Sequence, residues 1–186
     1  MSGVYGMAPL IRGTLVLLYL ALVLPLPALA PAELRPWLIA ALPLGLAVVL
    51  AISSERVELD QAGLRLRHPS WCRWWLRRGW ELGWDQVQGL TPVATSQGGR
   101  VFYVRIKGGA AAGASVLLPQ RLEQFDDFLI RFGRYTGLDT SAVGRISPAW
   151  TYQLLALLSA LMVAAELAAG WALVTGRWAF PPGSGL

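Results

Sequence analysis

A chain of 186 residues with 55% hydrophobic and only 15% charged side chains lies above the apolar share and below the charged share of an ordinary soluble domain, which argues against a water-soluble protein and for a membrane one. The formal charge of +5 would ordinarily raise nucleic acid as a partner, but the basic excess sits between apolar stretches, where orientation and anionic headgroups account for it. The single cysteine, Cys72, excludes an intrachain disulfide and fits a reducing compartment.

Three stretches, 13–30, 37–53 and 150–175, hold one acidic or basic side chain between them, Glu166. A bilayer core needs about 20 apolar residues per helix, so three transmembrane helices are predicted. The first two form a hairpin over 9–53 with a tight turn at 31–36, and the third covers 148–176, leaving a short tail over 177–186. Arg12 before an apolar run and the small-x-small group Ala28-Leu29-Ala30 also suit a secretory leader, which Pro31 just past the cut and the second apolar span disfavour. Pro25, Pro27 and Pro43 should kink the spans. All the basic residues except Arg12, Arg35 and Arg177 lie between Ser53 and Ser147, so the positive-inside rule puts the central segment, 54–147, in the cytoplasm.

From Arg56 the apolar period becomes two. Val57 and Leu59 alternate with Glu58 and Asp60, Gln61-Ala62-Gly63 makes a turn, and Leu64 and Leu66 alternate with Arg65 and Arg67, which reads as a hairpin. A third strand sets Trp80, Leu82 and Trp84 on one face and can continue through Val87 to Leu90; turns follow at 96–99 and 108–114. Between those turns Phe102, Val104 and Ile106 share a face, and 115–118 is a short apolar strand. The period then shifts to three and four at Leu122, Phe125, Phe128, Leu129, Phe132 and Tyr135, with Gly137 as a stop: one amphipathic helix closing a sheet.

Gly63-Leu64-Arg65-Leu66-Arg67, the segment from Gly79 to Val87, the strand from Val101 to Lys107 with Gly108, and the helix from Leu122 to Tyr135 together resemble bacterial membrane proteins with a pleckstrin-homology-like (PH-like) domain. Within that group the chain looks most like cyanobacterial membrane proteins and, more distantly, the photosystem I assembly factor of thylakoids, from which it differs by a third span and a tryptophan-rich segment. The resemblance implies an α+β membrane protein: three transmembrane helices and a PH-like antiparallel β-sandwich or barrel capped by one C-terminal helix.

Catalysis is not expected. His68 and Cys72 are single residues of their kinds, Asp126 and Asp127 are neighbours on a helix surface that do not face one point, and the glycine-rich 96–99 leads into a strand and not a helix. The unusual stretch is 71–80, where Trp71, Arg73, Trp74, Trp75, Arg77 and Arg78 suit a membrane-facing or partner-facing loop, while Trp80 and Trp84 are expected in the core. In the third span an ionised Glu166 would cost several kcal/mol unless paired, protonated or hydrated. With the small residues Ala160, Ala164 and Ala168 it is taken as an intramembrane helix contact, whose other readings are a hydrogen bond within the protein's own helices or ligation of a chlorophyll magnesium. No metal and no other cofactor is implied. The expected role is a non-catalytic membrane-anchored scaffold or assembly factor for another membrane protein or complex, a photosynthetic one by resemblance. The rivals are a module sensing anionic lipids and a small permanent subunit.

Overall fold

The computed structural model describes residues 3–72, 74, 79–94, 100–107, 115–144 and 148–177. Arg73, Trp75, Arg77 and Arg78, the turns at 96–99 and 108–114, and the tail from 178 lie outside the described residues. The chain forms two compact units: Met1–Arg12 with Leu50–Thr151, and Gly13–Val49 with Tyr152–Leu186.

The first unit is built on two antiparallel sheets. One has four strands in the order β1 (Gly3–Gly6), β2 (Arg56–Leu59), β3 (Gly63–Arg67), β4 (Glu81–Gly83); the other has β5 (Val87–Ala94), β6 (Arg100–Ile106) and β7 (Ser115–Leu117). The alternation read from Val57 to Leu66 sets the register, with Val57 opposite Leu66 and Leu59 opposite Leu64. Asp60 organises the turn between them: its Oδ1 accepts the Ala62 and Gly63 amides at 2.8 and 3.0 Å, and its Oδ2 takes the Arg65 guanidinium at 3.0 Å. These donors, the Ala62 amide first, hold the Asp60 carboxyl below its ordinary range.

The third strand does not run on to Leu90. After Gly83 the chain makes a 3₁₀ turn over Trp84–Gln86 and enters β5 in the other sheet. The turn is closed by the Gln86 side chain, which accepts the Gly83 amide at 3.2 Å, and by the Trp84 indole, which donates to the Asp60 carbonyl at 2.8 Å. The Trp84 ring stacks on Tyr135 at 5.0 Å and meets Phe132 edge-on at 5.9 Å. A strand that must change sheets needs a corner, and these bonds make one.

Helix α4 spans Phe125–Thr136 and is stopped by Gly137, whose φ of +69° is the left-handed conformation that glycine adopts without a Cβ penalty. Phe125, Phe128 and Phe132 are fully buried among Val57, Leu59, Leu64, Phe102 and Val104, so the helix face read from the sequence fills the space over both sheets. Tyr103 is half-buried and Arg105 exposed, as the alternation along β6 requires. β5 carries Pro92 and lies at the edge of its sheet, where a missing N–H breaks no ladder.

Strand β1 precedes the first apolar helix, a position the sequence pattern assigned to no element. It pairs with β2 from Gly3↔Leu59 to Gly6↔Arg56. The chain just beyond continues along 121–123, through a Met7↔Leu122 bridge and bonds from Ala8 N to Arg121 O and from Glu123 N to Gly6 O, both 2.9 Å.

The second unit is helical. It holds most of three apolar segments, Pro9–Leu29, Arg35–Ile52 and Ala149–Val174, helices long and apolar enough to cross a membrane. The first is divided: α1 (Pro9–Val23) ends before Pro25, and a short α2 (Leu26–Leu29) follows, because Pro25 and Pro27 have no N–H to continue the ladder. α3 (Arg35–Ile52) begins with Pro36 in its first turn and contains Pro43. The Tyr19 hydroxyl donates to the Leu42 carbonyl at 2.7 Å and lies against Gly45, whose lack of a side chain admits the ring. On α5 (Ala149–Val174) Ser159 is buried and Tyr152, Ala156, Val163, Glu166 and Ala169 are half-buried. This is one helical face, and the Thr14 hydroxyl of α1 donates to the Tyr152 carbonyl at its N-terminal end, at 3.2 Å.

Candidate functional site

Three places carry polar or aromatic groups that the packing does not account for. The first follows β3. Cys72 is buried, its amide bonded to the Pro69 carbonyl at 3.2 Å, while the flanking Trp71 and Trp74 are 52% and 84% exposed. The Trp74 indole N–H donates to the Trp71 carbonyl at 3.1 Å, so its polar edge is satisfied by the turn and its apolar faces are left outward. Of the aromatic and basic residues singled out in this segment, these two are described and both stand on the surface. Trp80 and Trp84 are partly buried against the core.

The second is a cavity of about 320 Å³ in the β unit, lined by Met7, Ile52, Glu55, Val57, Leu117 and Gln120 among others. Gln120 is 5% exposed; its amide donates to the Gly144 carbonyl at 2.7 Å, and its Oε1 has no partner among the described residues. A lone glutamine after a proline carries no sequence signal, and the site was not legible in advance. From the same lining, Glu55 Oε1 lies 3.5 Å from His68 Nε2, whose ring is largely buried. Among the described residues no group of three or more His, Cys, Asp or Glu side chains gathers to hold a metal.

The third is in the helical unit. A groove of about 420 Å³ is lined by Leu24, Pro25, Ala28 and Leu29 on one side and by residues of α5 from Glu166 to Leu173 on the other. Glu166 Oε2 is buried there without a hydrogen-bond partner among the described residues. Ala160, Ala164 and Ala168 are exposed, on the face of α5 away from the half-buried row that contains Glu166. At 100° per residue, 164 and 166 are more than half a turn apart, so the structure does not bring Glu166 and the alanines into one contact surface.

The Asp126-Asp127 pair also resolves into separate roles. Asp127 Oδ2 accepts the Tyr5 hydroxyl at 2.5 Å and Arg131 Nε at 2.8 Å, which ties β1 to α4. Burial first, and then this bond to the carboxylate, pushes the Tyr5 phenol up to about 12. The same hydrogen bond holds the Asp127 carboxyl below its ordinary range, helped by Arg131.

Over 184 residues the chain is 37% identical to the uncharacterized protein slr0269 of the cyanobacterium Synechocystis sp., a match that takes in 96% of this chain and 89% of that protein. The chain belongs to that protein's family. No protein-family profile and no solved structure matches it. The shared stretch takes in the segments that form both the apolar helices and the β unit of this chain.

Proposed function

We propose that the protein is a multi-pass membrane protein whose β unit is a non-catalytic PH-like domain at the cytoplasmic or stromal surface, serving as a scaffold or assembly factor for another membrane protein. The PH-like reading is supported by the arrangement of elements: a four-stranded antiparallel sheet whose first strand precedes α1–α3, a three-stranded meander and a closing helix. The membrane reading is supported by the apolar surface the three helices leave uncovered, including Leu22, Leu29, Trp37, Leu44, Leu157 and Leu161. The basic residues concentrated between Ser53 and Ser147 support the cytoplasmic side.

The observation that carries partner binding is the pair Trp71 and Trp74, held outward around a buried Cys72. Exposed tryptophan on a defined turn is the kind of anchor that dominates binding energy at protein interfaces. The cyanobacterial family and the resemblance to the photosystem I assembly factor make a photosynthetic complex the natural client.

Affinity purification of the tagged full chain from cyanobacterial membranes in mild detergent tests this. A client should be recovered in substoichiometric amounts, and W71A/W74A should lose it at equal chain abundance and unchanged helix content. A stoichiometric complex would instead make the chain a permanent subunit. Recovery of anionic lipid without a protein, dependent on the same tryptophans, would make the turn a lipid sensor.

A further inference from the structure

The groove beside Glu166 poses a definite chemical question, because a carboxyl oxygen is buried in it with no donor among the described residues. The facing wall supplies no donor. Pro25 has no N–H, the Leu24 amide is bonded to the Leu20 carbonyl, and the Ala28 and Leu29 amides are both bonded to the Pro25 carbonyl at 3.0 and 3.2 Å. The other lining side chains that face Glu166 from this wall are hydrocarbon. A polar atom left unsatisfied in an apolar site is costly, and among the described residues none donates to this one, which leaves room for a donor carried by a bound molecule.

Size and depth define that donor further. At about 420 Å³ the groove lies in the range of sites that enclose small amphiphilic molecules, roughly 300–1,000 Å³. Trp171, which also lines it, is covered by the Arg177 guanidinium at 4.6 Å, a pairing suited to the headgroup level. Glu166 lies five residues before Trp171, or about 7.5 Å along the helix toward the hydrocarbon. A neutral donor at that depth, attached to an apolar body, meets the site without bringing a charge into it.

We propose that Glu166 and this groove bind a membrane lipid that presents a free hydroxyl below the level of the surrounding headgroups, as a diacylglycerol does, the hydroxyl donating to the Glu166 carboxyl and the chains lying along Leu24, Pro25, Ala28 and Leu29. This rests on the membrane reading above. It differs from a helix-docking role for Glu166, since the groove belongs to the protein's own helices and the exposed alanine stripe lies on another face.

The test is native mass spectrometry of the full chain, extracted from membranes and titrated with 1,2-dioleoylglycerol or with its O-methyl ether, which has the same chains and no donor. Wild type should retain the free alcohol about five- to tenfold better than the ether, the worth of one hydrogen bond. Glu166→Leu should bring that ratio close to one, and Glu166→Gln, which keeps an acceptor oxygen, should preserve it. Equal retention of the two lipids by wild type, retention of neither, or an unchanged ratio in Glu166→Leu overturns the proposal. So does a co-purifying protein chain lost in Glu166→Leu, which would make the groove a helix-docking site. A chain found outside the membrane fraction would remove the membrane reading as well, whereas a membrane-inserted chain without lipid discrimination removes the lipid site alone.

Discussion

The Tyr5 hydroxyl reaches Asp127 across a separation of 122 residues, and that one bond couples the first strand to the helix that closes the core. Its dependence on pH follows from the two shifts. Tyr5, raised to about 12, contributes stability that is complete below its ordinary value of 10.0 and is lost as pH climbs through the raised value. Asp127, lowered from 3.8, contributes stability present above that value and lost as pH falls through the depressed one. Tyr5→Phe should therefore lower the unfolding midpoint near neutral pH and flatten its decline on both the acid and alkaline sides. Tryptophan fluorescence of the solubilised chain across pH would show this; parallel curves for the two proteins would mean that the bond contributes nothing in solution. Neither partner was recognisable from its neighbours. Tyr5 sits in a four-residue strand, and Asp127 looked like one of two surface acids.

At the level of elements, the close approach of β3 and β4 depends on glycine. Gly63 stands opposite Gly83, and a Cβ at Gly63 would overlap the Leu82 carbonyl. Gly63→Ala should destabilise the β unit by about 1–3 kcal/mol, since backbone on the neighbouring strand must move to admit the methyl. Denaturant unfolding followed through the tryptophans measures it, and a change under a few tenths of a kcal/mol would show that the strands have room to shift. Long, regular elements were legible in advance. The 57–66 hairpin, β6 and the aromatic face of α4 announce themselves because each buries one face over several periods. The corner at Trp84–Gln86 did not, because the alternation of Trp80, Leu82 and Trp84 is the same whether a strand continues or breaks. What breaks it is a set of bonds to Asp60, Gln86 and Tyr135 that exist only once the hairpin and helix are in place.

For the whole molecule, the pairing of β1 with β2 constrains how the chain can thread a membrane. Gly6 is opposite Arg56, so on the proposed membrane reading the segment between them leaves and returns on one side, as a two-helix hairpin does. On the same reading α5 would cross once, and the residues beyond its C-terminal end should be on the other side. With Cys72 replaced by serine, single cysteines at Val4 and Asp139 should react with a membrane-impermeant maleimide only after the cytoplasmic face is opened, whereas Glu33→Cys and Thr175→Cys should react from outside. Labelling of Val4→Cys and Glu33→Cys from the same side would overturn the hairpin.

The membrane-length apolar helices, the α+β class and the core positions of the central strands and helix were determined by the sequence alone, because each rests on composition or on a repeat long enough to show its period. Tertiary structure decided that a strand ahead of the first apolar helix completes the four-stranded sheet, since four residues around Tyr5 have no period to read and gain their stability from the partner strand and from Asp127. It also decided that Glu166 faces a groove on another side of α5 from the four-residue alanine stripe, one lined by Leu24, Pro25, Ala28 and Leu29, whose backbone amides are absent or already bonded. Burial of a lone carboxyl depends on which helices come together around it, and no spacing within one helix records that.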